Sequence, residues 1–87
     1  MLKVLVYGTQ FCPYCVRAKQ LLASKNVAVN EVRIDLDAGA RATMIRLSGR
    51  RTVPQIWIGD LHVGGFDDLW ALDRRGELDV LLQSGVT

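Results

Sequence analysis

The chain has 87 residues, 49% of them apolar and 23% charged, with a formal net charge of +2. That is the composition of an ordinary folded domain; it excludes a disordered tail, a collagen-like fibre and a disulfide-stapled miniprotein, and the length predicts one domain spanning residues 1–87. No apolar run approaches the ~20 residues that cross a bilayer, and the small net charge makes no case for nucleic acid, so neither a membrane nor a nucleic acid is expected as partner.

The N-terminal stretch Met1-Leu2-Lys3-Val4-Leu5-Val6-Tyr7 has a single Lys and a short apolar segment. Without the longer apolar core and cleavage site of a signal peptide it reads as a first strand, Leu2 to Tyr7, and the expected compartment is the cytoplasm. From Cys12 the period becomes helical, with Cys15, Ala18 and Leu22 on one face and Leu21 beside them, ending near Lys25-Asn26. Val27 to Ile34 is rich in β-branched residues and reads as a second strand. Asp37 suits the N-cap and Gly49 the C-terminal cap of a second helix, with Ala40, Met44 and Leu47 on its apolar face. A third strand runs from Gln55 to Ile58, a two-residue Gly59-Asp60 turn follows, and Leu61 to Val63 returns antiparallel. Flanked by Leu61 and Val63 in this alternation, His62 reads as a solvent-facing residue. Phe66-Asp67-Asp68 opens a third helix, and Gly76 separates it from a last short one carrying Leu78, Leu81 and Leu82. The order is βαβαββαα. The first two strands, joined by a helix, should lie parallel, and the hairpin makes the four-stranded sheet mixed, with helices on both faces: an α/β fold.

Charge is unevenly spread along this order. Residues 1–57 hold nine of the eleven basic groups and three of the nine acids, whereas residues 58–87 hold two and six. Such a split suits a surface that attracts a small anion, and it is equally the pattern of ordinary solvated helix faces.

The chemistry is concentrated in Cys12-Pro13-Tyr14-Cys15 at the first strand-to-helix turn. With Cys12 at the helix N-cap, Pro13 falls at the first helical position, where its fixed φ helps and its missing N–H is not needed. The Tyr14 and Cys15 N–H groups then point at the Cys12 sulfur, and the positive end of the helix dipole favours a thiolate there. Cys12 is therefore the expected nucleophile. Cys15, one turn on and more enclosed, can close a disulfide with it and resolve a mixed disulfide. A zinc site would need four ligands, and His62 is the one further candidate, so a redox pair is the better reading and no metal is expected.

Three motifs in order and spacing, Cys12-Pro13-Tyr14-Cys15, Thr52-Val53-Pro54-Gln55-Ile56 and Gly64-Gly65-Phe66-Asp67-Asp68, make the chain resemble the glutaredoxin family over nearly its whole length. The resemblance implies a thioredoxin-like fold and glutathione as the reducing co-substrate. It implies a cis peptide at Val53–Pro54, which exposes the Val53 backbone beside Cys12, so that an extended peptide can pair with it as an added strand. Thr52, Val53 and Pro54 are thereby assigned to glutathione, with Tyr14 as one wall of the groove. Gly65, Phe66 and the start of the following helix are assigned to the γ-glutamyl carboxylate, Asp67 to its ammonium group and Arg41 to the glycine carboxylate. Two positions depart from the family pattern: Thr9 stands where a Lys is usual, and Phe66 where a small residue is usual.

The function so implied is glutathione-dependent reduction of protein disulfides, small disulfides and glutathione mixed disulfides, by a monomer whose other partners are disulfide-containing or glutathionylated proteins. Two rivals stand beside it. One is a redoxin that takes electrons from thioredoxin reductase and serves ribonucleotide reductase. The other is a carrier holding an iron–sulfur cluster with two glutathiones; Pro13 and Cys15 argue against that, since its specialists have Gly and Ser there.

Overall fold

The computed structural model describes residues 3–83. Strand β1 (Val4–Gly8) leads into helix α1 (Pro13–Ser24), then β2 (Val29–Arg33) and α2 (Ala38–Ser48). The hairpin β3 (Gln55–Ile58) and β4 (Leu61–Gly64) follows, and α3 (Phe66–Arg74) and α4 (Glu77–Gln83) close the described chain. The sheet runs β2-β1-β3-β4, with β1 parallel to β2 and antiparallel to β3, and β3 antiparallel to β4. This mixed four-stranded sheet in βαβαββαα order has the thioredoxin-like arrangement.

Alternation along the central strands divides the core in two. Val4, Val6, Ile56 and Ile58 face α1, α3 and α4, where Ala18, Leu22, Leu69, Leu78 and Leu82 cover them. Tyr7 faces the other side with Ile34 and Met44, and Leu5 and Trp57 pack against that smaller cluster. Such two-sided burial of β1 and β3 is what makes their sequences apolar at nearly every position.

Local chemistry sets the element ends. The Asp37 carboxylate accepts the Gly39 and Ala40 N–H groups at 2.9 and 3.2 Å, and Gly49, at φ 72°, ends α2. Lys25 pins the end of α1 to the last two helices through Asp73 at 2.7 Å and Asp79 at 3.1 Å.

Four expectations are corrected. The first strand begins at Val4; Leu2 lies outside the described residues. The second is shorter than Val27 to Ile34, because β2 is an edge strand whose one partner, β1, offers five residues to pair with. Leu47 is exposed: α2 turns Ala40, Met44 and Ile45 to the sheet, and its last turn overhangs the narrow cluster beneath. His62 does not face solvent. Its place opposite Trp57 leaves the imidazole half-buried, in contact with Trp57 and Gln55.

Candidate active site

Cys12 is the N-cap of α1, in extended conformation, with Pro13 directly after it. Its sulfur accepts the Cys15 N–H at 3.2 Å, and the Tyr14 N–H makes no such bond. The first turn of α1 carries no acidic side chain, so nothing opposes negative charge at the cap. Across the gap, the Val53 carbonyl oxygen lies 3.9 Å from the Cys12 sulfur, and the Val53–Pro54 peptide is cis.

Cys15 lies one turn on and is completely buried, and both cysteines are free thiols. Burial pushes the Cys15 thiol up to about 12, with the neighbouring Cys12 sulfur adding to the effect; a backbone hydrogen bond from Thr9 and the Lys19 charge work weakly against it. The two sulfurs thus occupy unlike surroundings, one half-exposed at a helix start and the other enclosed behind it.

Beside Cys12 opens a cavity of about 300 Å³, at the small end of the range for ligand sites. Tyr14 forms one wall and Thr52, Val53 and Pro54 another. Gly65, Phe66, Asp67 and Asp68 form the far end, where α3 begins, and Arg50 completes the lining. The Tyr14 and Phe66 rings approach to 6.3 Å between centroids, and the Arg17 guanidinium covers Tyr14 at 5.6 Å.

The start of α3 is polarised. Gly65, as N-cap, has no side chain to offer, so the first N–H groups of the helix stay open to a ligand. The carboxylate of Asp68 turns back to accept the Gly65 N–H at 2.9 Å and pairs with Arg50 at 3.1 Å. These contacts, the Gly65 N–H first, hold its carboxyl below the usual carboxylate range. Asp67, exposed in the same lining, has no partner among the described residues. The two adjacent acids therefore differ in kind: Asp68 is committed to the protein, and Asp67 is available.

Seven of the expected ligand-binding residues, Tyr14, Thr52, Val53, Pro54, Gly65, Phe66 and Asp67, line this one cavity. Arg41 does not; it lies exposed on α2, and the cation of the cavity wall is Arg50. Arg50 was signalled only by the Arg50-Arg51 pair directly before Thr52. Thr9, where a cation was missed, contributes its backbone to Cys15. Trp57 and Trp70 take packing places: Trp57 meets Tyr7 edge-on at 5.3 Å, and Trp70 carries the Arg74 guanidinium 4.8 Å above its ring.

Residues 4–63 match the glutaredoxin family model. A glutaredoxin of Pseudomonas aeruginosa is 54% identical over 81 residues, 93% of this chain and 96% of that one. Glutaredoxin 3 of Escherichia coli is 55% identical over 83 residues, 95% of this chain and all of the relative. The crystal structure of a buckwheat glutaredoxin–glutathione complex superposes with a TM-score of 0.88 at 28% identity, covering 95% of this chain and 78% of that one.

Proposed function

The chain belongs to the glutaredoxin family of glutathione-dependent thiol–disulfide oxidoreductases, and from that premise we propose that it reduces glutathione mixed disulfides and protein disulfides with electrons from glutathione, in the cytoplasm. The observation that carries this reading is the junction of three features. The Cys12 sulfur lies at a helix N-cap, the Val53 carbonyl is 3.9 Å away, and a cavity runs from there to the uncapped start of α3.

In this reading the glutathionyl part of a mixed disulfide lies extended along Thr52, Val53 and Pro54 and pairs with the Val53 backbone. Its γ-glutamyl carboxylate meets the N–H groups at the start of α3 next to Gly65 and Phe66, and its ammonium group meets Asp67. Tyr14 closes the side. That a buckwheat glutaredoxin of the same fold was crystallised with glutathione supports the assignment. For the glycine carboxylate, Arg50 in the lining is a better candidate than Arg41.

Cys12 thiolate attacks the glutathione sulfur; the Cys12–S–S–glutathione bond forms and the target protein leaves as a thiolate, which takes a proton from water. A second glutathione thiolate then attacks the mixed disulfide, releasing oxidised glutathione and restoring Cys12. With a protein disulfide, the Cys12 thiolate attacks one sulfur, forming a Cys12–target mixed disulfide and releasing the other target sulfur as a thiolate. The Cys15 sulfur then attacks Cys12, its proton going to the second target thiolate as that leaves, and two glutathiones reduce the resulting Cys12–Cys15 disulfide. Thr9 costs the site one cation, and a partly solvated charge contact contributes roughly 0.3–1 kcal/mol, at most about fivefold in affinity. That is too little to change the class of electron donor while the other contacts remain.

The test follows NADPH oxidation by the oxidised protein, with either glutathione plus glutathione reductase or thioredoxin reductase alone. Rapid turnover in the first system, with Asp67→Ala raising the glutathione concentration required, is the expected result. Turnover with thioredoxin reductase alone would transfer the protein to the rival redoxin class. A cluster-type visible absorbance after anaerobic purification would favour the carrier reading.

A further inference from the structure

Gln55 is the residue that an apolar central strand does not call for. It is fully buried, directly after Pro54, and a buried amide must have hydrogen-bond partners. Its Nε2 donates to the Thr52 carbonyl at 3.0 Å and to the Thr52 hydroxyl at 3.2 Å. With both amide hydrogens used, Oε1 is left as an acceptor, and 2.7 Å from it lies Nε2 of His62. That nitrogen must therefore carry the hydrogen. Burial and the Arg50 charge push the His62 imidazole below its ordinary range, so it is neutral near pH 7 and has one N–H, directed at Gln55.

The hairpin register delivers His62 to this place. Ile58 pairs with Leu61 across the two-residue turn, so His62 falls opposite Trp57, two residues from Gln55 on the same side of the sheet. The bulge comes only after it, between His62 and Gly64. The His62 ring stacks on Trp57 at 4.6 Å, and Trp57 is itself braced by Tyr7.

This chain ends on the substrate edge. Among the described residues, 51–54 make no backbone–backbone hydrogen bond, so beside the packing of Val53 and the buried Pro54 the two bonds from Gln55 to Thr52 are the hydrogen bonds that fix the segment on the sheet. One residue on is Val53, whose carbonyl faces the Cys12 sulfur. We propose that the Gln55–His62 pair sets the position of the Thr52–Val53 edge, so that both are positioning residues for binding of the glutathionyl peptide. The proposal rests on the glutathione reading and deepens it by naming what holds the pairing edge in place.

The test compares His62→Phe, which keeps a ring on Trp57 but has no N–H, with His62→Gln, which restores a donor at similar reach, and with Gln55→Met. Turnover of a glutathionylated peptide is measured first with the unaltered protein. The expected result is a KM raised about fivefold or more in His62→Phe with kcat within about twofold, and recovery in His62→Gln. Iodoacetamide labelling of Cys12 should be unchanged, and adding His62→Phe to Gln55→Met should have no further effect on KM. Nitrogen NMR of the imidazole should show the Nε2–H tautomer. A wild-type KM in His62→Phe, equal loss in His62→Gln, additive effects in the double variant, or an Nδ1–H tautomer would each overturn the proposal alone. An unaltered protein inactive on the glutathionylated peptide would overturn the glutathione reading, and the proposal with it.

Discussion

Native-state alkylation should separate the two cysteines by orders of magnitude. At pH 7, a thiol pushed up to about 12, as Cys15 is, has roughly one molecule in 10⁵ ionised. An ordinary cysteine near 8.5 has about three in a hundred. Since the thiolate is the reacting form, ionisation alone slows Cys15 about three-thousandfold relative to an ordinary cysteine, and complete burial slows it further. Cys12 is half-exposed and open to the reagent. Reduced protein is treated with iodoacetamide, quenched over time and mapped by mass spectrometry, with a guanidinium-unfolded control in which the two sites should label at similar rates. Cys15 labelling should rise about tenfold per pH unit from 7 to 11 without a plateau. The same shift has a thermodynamic consequence. Below pH 9 Cys15 is protonated in both folded and unfolded chains and contributes nothing; above it the unfolded chain ionises first, so the reduced protein loses stability as pH rises, by about 4 kcal/mol at pH 12. Native labelling of the two cysteines within tenfold of each other at pH 7, or a plateau for Cys15 near pH 9, would refute the reasoning.

Three other outcomes follow from the geometry. Cys15→Ser should retain most deglutathionylation activity and lose most protein-disulfide reduction, measured on a glutathionylated peptide and on insulin; loss of both with the fold intact by circular dichroism would give Cys15 another role. Gly64→Ala should lower the urea midpoint by an amount equivalent to about 1–3 kcal/mol, because Gly64 has φ 115° and a methyl there collides with the Asp68 carboxylate that holds the Gly65 N–H. Asp35 is held down to about 2, chiefly by the Arg33 guanidinium and with help from the Gln10 N–H. Its contribution is present above pH 4 and lost as pH falls through 2, so Asp35→Asn should melt lower than the parent by a constant amount from pH 5 to 8, and the gap should close near pH 2.

What was legible in the sequence was chemistry confined to a few neighbouring residues. Cys12 before Pro13, Asp37 before Ala38, Gly49 after Ser48 and the Gly59-Asp60 turn each act within one turn of chain, and each falls where local reasoning puts it. Leu47 was misplaced because helical period says which residues share a face but not how wide a surface the sheet offers that face. Arg50 pairs with Asp68 across 18 residues, and nothing local announces the contact. His62 was misplaced for a sharper reason. Alternation says that His62 and Leu61 take opposite sides of the sheet, but not that Trp57 and a buried Gln55 stand on the side His62 takes; those neighbours come from the pairing with β3.

The glycine at the head of α3 shows how binding and folding compete for the same groups. A Ser or Asp at position 65 would satisfy the first N–H groups of the helix from within, and caps of that kind stabilise a protein by about 0.5–2 kcal/mol. Gly65 forgoes that contribution and leaves those N–H groups open, which in the proposed reading serves the carboxylate of the ligand. Stability is recovered in part from the other direction, because Asp68 accepts the Gly65 N–H and pairs with Arg50 on the flank of the opening. The adjacent Asp67 is then free of structural duty. Two identical residues in sequence thus differ in role, one holding the mouth of the cavity in shape and the other, in the proposed reading, left for the ammonium group of the ligand, and the division is set by which of them lies three residues after the cap.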